Sequence, residues 1–247
     1  MLPVCLITGA SSGLGRALAI EYATLGWRVI AIARNAERLA SLAAEHPHIV
    51  PMSVDVTDAA AVERAVQQLA LDYARVDVAI LNAGTCEYVD LPDWPIDAFE
   101  RTFQINFHAI ALMVPKLLPL LQPANTAKLA IVSSLAHYFP FTRAEAYGAS
   151  KAALSYFTDS LRVDVASTGL QVTLVEPGFI DTPLTQANDF DMPFMLTAEE
   201  SAKRVAKAIA QGAQRYRFPK RLVLSLSLLN LLPYNLRQSV AARMKKV

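Results

Sequence analysis

Residues 4–15 read Val-Cys-Leu-Ile-Thr-Gly-Ala-Ser-Ser-Gly-Leu-Gly and carry the strongest architectural signal in the chain. The apolar run at 4–8 is typical of a buried strand, and helical spacing begins at about Leu14. The glycines at positions 9, 13 and 15 permit a tight turn and let a ligand approach the backbone closely. Because free N–H groups at a helix N-terminus favour negative charge, the stretch predicts a phosphate site where the first strand meets the first helix.

The same alternation continues along the chain. Apolar runs predict further strands at 28–33, 49–55, 76–84, 128–134 and 171–178. Helical spacing lies between them, at about 36–45, 59–73, 96–121 and 147–168, and returns near 198. Apolar strands joined by helices are typical of a parallel sheet covered on both faces, and right-handed crossovers make it a doubly wound α/β sheet. Because we find no repeat and no linker, we expect one domain over residues 1–247.

The composition excludes several classes of protein. Of the 247 residues, 53% are apolar and 18% are charged, which rules out a disordered chain. Cys5 and Cys86 cannot build a disulfide framework, so we expect two buried, reduced thiols. His46 and His48 flank Pro47 in a predicted loop, and His108 and His137 are isolated, so we expect no metal site. The N-terminus reads as a strand rather than a signal peptide, which predicts a cytoplasmic protein.

Charge is distributed unevenly along the chain. The net charge is +1, but residues 201–247 hold 11 of the 23 Lys and Arg and none of the 22 Asp and Glu. We expect a C-terminal extension at about 215–247 that joins an apolar stretch to Lys220, Arg221, Arg237, Arg243, Lys245 and Lys246. The most apolar run of the whole chain, 222–232, is too short to span a bilayer, so we expect no membrane-spanning segment.

Two interpretations of this extension stay open. It forms a helix packed on its own domain or on a partner subunit, or it dips into anionic lipid at the periphery of a membrane. Nucleic-acid binding is not expected, because the basic region lacks a sequence motif of the kind that recognises nucleic acid.

The end of the second strand indicates which dinucleotide would bind. An NAD site usually has an acid there that accepts from the ribose 2′-hydroxyl, whereas this chain has Ala33, Arg34 and Asn35. We therefore expect no carboxylate near Arg34 to bind the ribose hydroxyls or to repel a phosphate. Arg34 can hold a 2′-phosphate bidentately, and Ser11 and Ser12 can add hydroxyl donors. We therefore expect NADP(H) in preference to NAD(H). The alternative is that Arg34 is only a solvated residue at the start of a helix.

Tyr147 and Lys151 lie four residues apart, which puts both on one face of a helix. A phenol with a pKa of about 10 is a poor base at neutral pH, but a nearby ammonium lowers that pKa. The pair can then give a proton to a carbonyl or take one from an alcohol. A Tyr and a Lys at this spacing are common in proteins, and in most cases the pair has only a structural role. Ser134, at the end of the fifth strand, can hold a substrate oxygen beside the phenol, and Asn106 can orient a water or a backbone group.

With these motifs in this order, the chain resembles the short-chain dehydrogenase/reductase family over about residues 4–185. The resemblance rests on the turn at 8–15, Asp55-Val56, Asn82-Ala83-Gly84, Asn106, Ser134, Tyr147 with Lys151, and Pro177-Gly178 followed by Thr182. One position departs from the pattern, since Leu81 stands where the family often has the first Asn of Asn-Asn-Ala-Gly. The resemblance implies a Rossmann fold and hydride transfer between NADP(H) and a carbonyl or secondary alcohol.

The resemblance also implies a role for each catalytic residue. Tyr147 would be the general acid/base, and Lys151 would lower its pKa and bind the nicotinamide ribose. Ser134 would polarise the carbonyl, and Asn106 would hold a water in a proton relay with Lys151.

The same comparison with the family implies how the cofactor is held. Asp55 and Val56 would contact the adenine, and Asn82 would line the cleft. Ile180 and Thr182 would hold the carboxamide. The expected cofactor-binding set is Gly9, Ser11, Ser12, Gly13, Leu14, Gly15, Arg34, Asn35, Asp55, Val56, Asn82, Ala83, Gly84, Tyr147, Lys151, Pro177, Gly178, Ile180 and Thr182.

The substrate is expected to be apolar. The resemblance implies a mobile lid at about 183–200, and aromatic and Met side chains cluster around it and beyond Ser134: Phe179, Phe190, Met192, Phe194, Met195, Tyr138, Phe139 and Phe141. Ser134, Tyr147 and Phe179 are the expected substrate-binding residues. A homodimer or homotetramer through the helices near 97–121 and 147–167 is implied by the family. The alternative function is a redox sensor or scaffold that binds NADP without turnover.

Overall fold

The computed structural model describes residues 2–121, 126–186, 188 and 190–244. The strands are β1 (Val4–Thr8), β2 (Arg28–Ala33), β3 (Ile49–Ser53), β4 (Val78–Leu81), β5 (Lys128–Val132), β6 (Gln171–Pro177), β7 (Ile180–Asp181), β8 (Leu196–Thr197) and β9 (Arg215–Phe218). The helices are α1 (Gly13–Thr24), α2 (Ala36–Glu45), α3 (Ala59–Tyr73), α4 (Ile96–Phe103), α5 (Ala109–Leu121), α6 (Glu145–Asp164), α7 (Pro183–Gln186), α8 (Ala198–Ala210), α9 (Lys220–Asn230) and α10 (Tyr234–Arg243).

Seven strands form one parallel sheet in the order β3-β2-β1-β4-β5-β6-β9. The chain starts at the centre of the sheet, winds outward to β3, and then crosses to β4 to build the other half. The strand order therefore reverses between β1 and β4, where a crevice opens at the carboxyl ends of the strands. This confirms the predicted doubly wound α/β sheet.

Alternate residues along each strand supply two apolar layers, one on each face of the sheet. In β1, Cys5 and Ile7 enter one layer with side chains from α1, α2 and α8, whereas Val4 and Leu6 enter the other with side chains from α3, α5 and α6. Leu81, which replaces the family's Asn, is fully buried at the end of β4. Both faces of the sheet are therefore covered, as the unbroken apolar strands predict.

Most element bounds match the sequence patterns to within one residue at each end, but three strands are shorter than predicted by two residues or more. β3 ends at Ser53 rather than 55, β4 spans Val78–Leu81 rather than 76–84, and β5 ends at Val132 rather than 134. Buried residues such as Val54 and Val76 extended the apolar pattern without lying in a strand. As a result, several polar residues predicted within strands lie in the loops at the carboxyl edge of the sheet.

The helical region 96–121 is interrupted by a π-helical segment at Gln104–His108. Among the described residues, Ile96–Leu121 is the helical stretch long and apolar enough to cross a membrane, with a mean hydropathy of 1.3 over its most apolar window. This stretch is longer than the run at 222–232, which the sequence pattern singles out as the most apolar. Met113, Leu117 and Leu121 are buried against the sheet, so this side of the helix is part of the protein core.

The prediction for the C-terminal residues was incomplete. Arg215–Phe218 is β9, an edge strand of the main sheet paired with β6, and two helices follow it where one was expected. The two cations of Arg-Tyr-Arg-Phe hide the apolar pattern of this strand. Pro233 separates the two helices, because a proline cannot continue the hydrogen bonding of α9. Lys245 and Lys246 lie outside the described residues.

Candidate active site

The glycine turn has room for a ligand but none for side chains. Gly9 and Gly13 have φ of +69° and +53°, in the left-handed region that favours glycine. A Cβ on Gly15 would lie 2.3 Å from the carbonyl oxygen of Gly9. Ser12 caps α1 without a side-chain hydrogen bond, and the first turn of α1 holds no acid. The Ser12 hydroxyl therefore does not accept from the first N–H groups of the helix. Because these N–H groups can bind an anion, the turn fits the diphosphate of a dinucleotide.

The wall of the crevice is held together by a threonine that the sequence analysis missed. The hydroxyl oxygen of Thr8, at the end of β1, accepts from the N–H groups of Asn82 and Ala83 at 3.0 Å each. The Asn82 amide donates to the Thr8 carbonyl at 3.1 Å. Asn82 thus lines the crevice, but its side-chain N–H bonds the protein itself.

The region expected to bind the adenosine ribose holds both an exposed cation and a carboxylate. The Arg34 side chain is 69% exposed, and its Nη1 lies 4.0 Å from Oδ2 of Asp55. Burial by itself raises the pKa of Asp55, but hydrogen bonds from Thr57 and the charge of Arg34 outweigh it and hold this pKa below its usual value. Asn35 accepts from the Arg38 N–H at 2.8 Å and caps α2. The sequence analysis assumed that no acid lies near Arg34, and Asp55 corrects that assumption.

Tyr147 and Lys151 lie on one face of α6, as their spacing predicts. Lys151 Nζ is 5.8 Å from the centre of the Tyr147 ring and donates to the Val132 carbonyl at 3.0 Å. Burial and, to a smaller extent, the nearby Cys86 raise the pKa of Tyr147 to about 12, although a hydrogen bond with Ser134 acts in the opposite direction. Burial lowers the pKa of Lys151 to about 8. The expected lowering of the phenol pKa by Lys151 is therefore absent from this structure, because burial of the phenol dominates.

Cys86 is only partly buried, which corrects the expectation of two buried thiols; Cys5 is fully buried. Burial raises the pKa of the Cys86 thiol to about 11, while a hydrogen bond with Tyr88 and the charge of Lys151 lower it. Cys86 is therefore a neutral neighbour of the Tyr147–Lys151 pair at physiological pH.

Asn106 lies in the π-helical segment and is fully buried. Its Oδ1 accepts from the Thr85 N–H at 2.8 Å, and its Nδ2 donates to the Thr85 carbonyl and to Ser150 Oγ, both at 3.0 Å. A Cβ on Gly84 would lie 3.2 Å from Asn106 Oδ1 and 3.3 Å from Lys151 Nζ. The structure thus brings Asn106, Gly84 and Lys151 together, and both N–H groups of the Asn106 amide bond the protein.

We expect Asn106→Ala to lower the free energy of unfolding by about 2 kcal/mol, because it leaves the part-buried Thr85 N–H without its acceptor and the buried Ser150 Oγ without its donor. Urea unfolding followed by circular dichroism measures this loss. Asn235→Ala removes an exposed asparagine from α10 and should change stability by less than about 0.5 kcal/mol. Equal stabilities of the two variants would contradict the structural role of Asn106.

Ser134 follows β5 and caps a short 3₁₀ turn, where its Oγ accepts from the Ala136 N–H at 3.1 Å. Ser134 also forms a side-chain hydrogen bond with Tyr147, so the hydroxyls of the two residues lie close together in the crevice. The neighbouring Ser133, which the sequence analysis passed over, donates to the Lys151 carbonyl at 2.8 Å and so fixes α6 against β5. Ser134, Tyr147, Lys151 and Asn106 therefore belong to one cluster at the carboxyl edge of the sheet.

The segment after β6 returns to the glycine turn. A Cβ on Gly13 would lie 3.0 Å from Cγ2 of Thr182, so Thr182 faces the start of α1 across the crevice. Ile180 is buried and pairs with Leu196 in the small β7–β8 sheet. Gly178 packs against α9 instead, where a Cβ would lie 2.5 Å from Leu222 Cδ2.

The expected lid at 183–200 is partly regular, since it contains α7 and β8 and since α8 begins at Ala198; Ala187 and Asp189 lie outside the described residues. Phe190 lies between Phe179 and Tyr88, with its ring centre 6.1 Å from each of theirs. Phe194 and Met195 are exposed, so they extend the lid surface rather than line the crevice. Tyr88 was missed, because its contact with the lid joins residues about 100 positions apart.

A buried carboxylate fixes the turn that carries Ser134. Glu176 on β6 is fully buried, and its oxygens lie 2.5 Å from His137 Nε2 and 2.8 Å from Arg217 Nε. Burial alone raises the pKa of Glu176, but the hydrogen bonds and charges of His137, Arg217 and Arg215 lower it below its usual value. The anionic Glu176 therefore links the 3₁₀ turn to β9. In the part of the chain that the structure describes, no group of three or more His, Cys, Asp or Glu could hold a metal ion.

Comparisons with known proteins agree with this arrangement. A model of the short chain dehydrogenase family matches residues 3–192. An uncharacterized oxidoreductase of Myxococcus xanthus is 34% identical over 97% of this chain and 96% of its own. The serine 3-dehydrogenase of Agrobacterium fabrum is 35% identical over 73% of both chains. The solved structure of a short-chain dehydrogenase from Streptomyces avermitilis superposes with a TM-score of 0.81 at 25% identity, covering 98% of this chain and 95% of that one.

Proposed function

The chain belongs to the short-chain dehydrogenase/reductase family, and on that premise we propose that it is an NADP-dependent oxidoreductase that moves a hydride between NADPH and a carbonyl or secondary alcohol. One observation carries the proposal: a phenol, a serine hydroxyl and an ammonium group lie together at the crevice where the strand order reverses. Crevices of this kind are where open α/β sheets bind ligands.

The residues present fit a nicotinamide dinucleotide. The turn at Gly9–Gly15 would hold the diphosphate, Asp55 and Val56 would contact the adenine, and Arg34 with Asn35 would face its ribose. Ala83, Gly84 and Lys151 would border the nicotinamide ribose, where a glycine leaves space beside the ammonium. Ser11 and Leu14 lie within the turn, and the other expected residues are Asn82, Tyr147, Pro177, Gly178, Ile180 and Thr182. When bound, the cofactor supplies the hydride.

The protein supplies binding and proton transfer. Ser134 and Tyr147 would each donate a hydrogen bond to the carbonyl oxygen of the substrate and so favour the charge that develops there. Tyr147 would then release its proton to that oxygen. A phenol with a raised pKa holds its proton at neutral pH, which suits the reduction direction. We propose that in the loaded enzyme the ammonium of Lys151 would stabilise the phenolate that remains, an effect that the pKa of Tyr147 in this structure does not show.

Preference for NADP(H) is supported by the exposed guanidinium of Arg34, since its contact with Asp55 is long and solvent-exposed and therefore weak. We expect Arg34→Ala to raise KM for NADPH by about tenfold to a hundredfold, as for loss of a charged hydrogen bond, and to change KM for NADH by less than about twofold. Steady-state kinetics with both cofactors measure this. Arg64→Ala, an exposed arginine on α3, is the control and should leave both values unchanged. Equal effects of Arg34→Ala on the two cofactors would refute the preference.

The proposed substrate is a small apolar ketone or alcohol. Phe179 and Phe190, together with Tyr88, support this class because they form an aromatic cluster between the lid and the crevice. The test is NADPH oxidation against ketones graded by chain length and ring size, with NADH alongside. Turnover that rises with apolar size supports the proposal. Tight NADPH binding with no turnover on any member would favour a sensor or scaffold instead.

We further propose that the enzyme is cytoplasmic, is associated peripherally with membranes through residues 215–247, and assembles as a homodimer or homotetramer. Exposed apolar side chains on the outer faces of α4 and α6 support the assembly. These are Ile96, Tyr156 and Val163.

A further inference from the structure

α9 is apolar on two sides. Leu222 and Leu226 are buried on one side, whereas Leu224 and Leu228 on the other side are 62% and 57% exposed. Leu231, which caps the C-terminal end of α9 in a helical conformation, is 80% exposed. A helix turns about 100° per residue, so the three exposed leucines fall within an arc of about 60°. Lys220 and Arg221, both exposed, lie at either edge of this arc. We call these five residues the basic-apolar face.

The next helix in the chain has exposed residues of the same kinds. Tyr234 and Leu236 on α10 are exposed, and so are Arg243 and Met244. No acid follows Glu200 in the sequence, so no carboxylate from these helices neutralises the cations. An exposed apolar strip that is flanked by cations and has no acids is chemically complementary to a membrane interface, where acyl chains adjoin anionic headgroups.

We infer that the basic-apolar face binds the surface of an anionic bilayer, with its leucines among the acyl chains and with Lys220 and Arg221 against the headgroups. Each buried leucine contributes by leaving water, and each cation contributes by its attraction to the negative surface. The structure thereby assigns the peripheral membrane contact to one face of one helix.

A second copy of the chain fits this face less well. A twofold interface brings the same surface patch against itself, so Lys220 and Arg221 would meet like charges with no acid between them. Anionic lipid, in contrast, complements both the charge and the apolar strip.

The position of α9 links membrane binding to the proposed substrate. Its buried side packs with Leu135, Phe139 and Phe179, and Asn230 at its end donates to the Tyr138 carbonyl at 2.6 Å. The residues that α9 packs on therefore separate it from the crevice. If the proposed function holds, which this last point requires, an apolar substrate dissolved in the bilayer reaches Phe179 after a short path.

The test is flotation of the full chain with phosphatidylcholine vesicles, with and without phosphatidylserine. We expect at least about tenfold more bound protein with phosphatidylserine, and loss of this difference in high salt. Lys220→Glu/Arg221→Glu and Leu224→Ser/Leu228→Ser should each weaken binding by at least about thirtyfold. Leu25→Ser/Leu71→Ser, which changes two exposed leucines elsewhere, is the matched control and should bind like the unchanged protein.

Each variant is also assayed with a water-soluble ketone and NADPH. Unchanged turnover shows that the variants are folded and keeps this test separate from that of the proposed function. Equal flotation with and without phosphatidylserine would overturn the inference. So would a wild-type dimer that Leu224→Ser/Leu228→Ser converts to monomer, since the face would then be an interface between copies.

Discussion

Replacing Tyr147 with Phe is expected to lower kcat by about a hundredfold to ten-thousandfold, the usual contribution of a positioned general acid. The substitution removes one hydroxyl, which hydrogen-bonds Ser134 at the crevice, and keeps the ring beside Lys151. NADPH affinity should change by less than about threefold, because the turn at Gly9–Gly15 and Arg34 are untouched. Stopped-flow or steady-state NADPH oxidation, together with cofactor titration by fluorescence, measures both quantities.

The chain offers a matched control on the same helix. Tyr156 is 79% exposed on the outer face of α6, and Tyr156→Phe should leave kcat within about twofold. Near-normal turnover in Tyr147→Phe would remove the assignment of the phenol as the proton donor. Loss of NADPH binding in the same variant would instead indicate that the phenol holds the cofactor.

The second large effect is a loss of activity at alkaline pH. Burial lowers the pKa of Lys151 to about 8, so its ammonium is present below this pH and is lost above it. The pKa of Tyr147 is about 12 and lies above the working range. Because kcat/KM reports ionisations of the free enzyme, we expect kcat/KM for NADPH to be flat from pH 6 to about 7.5 and to fall about tenfold per unit above about 8.

Replacement of the lysine separates this ionisation from others. Lys151→Met should lower kcat/KM by at least about a hundredfold at pH 7 and abolish the alkaline limb. Lys203→Met, an exposed lysine on α8, should keep the wild-type profile. A wild-type profile that stays flat to pH 9.5 would show that the charge of Lys151 is not required.

The hydrophobic pattern of the sequence predicted the fold well, because each half of the sheet is built from strands and helices that alternate along the chain. Strands Val4–Thr8 and Arg28–Ala33 and helices Ala36–Glu45 and Ala59–Tyr73 match their predicted bounds. Strand ends were less predictable, because burial of residues such as Val54 continues after the backbone leaves the sheet. β9 was missed because an edge strand exposes part of its side chains and so tolerates two arginines.

The candidate site was predictable wherever spacing along one element fixed it, as for Tyr147 and Lys151. The partners that sequence could not supply come from distant strands and loops. Thr8 bonds residues 74 and 75 positions away, and Glu176 bonds His137 and Arg217 from separate elements. The direction of the Tyr147 pKa shift also required the structure, because burial raises this pKa and a hydrogen bond with Ser134 lowers it, and the two effects cannot be ranked from spacing alone.

The most direct measurement of the central claim is isotope transfer from NADPH dideuterated at nicotinamide C4 to an apolar ketone. The account predicts that the wild-type product carries one deuterium on its carbinol carbon, and that Tyr147→Phe binds the same cofactor yet forms the labelled alcohol at less than about one hundredth of the rate. Labelled alcohol formed at equal rates by both proteins would contradict the account. So would a wild-type protein that binds the cofactor and transfers no deuterium to any ketone in the panel.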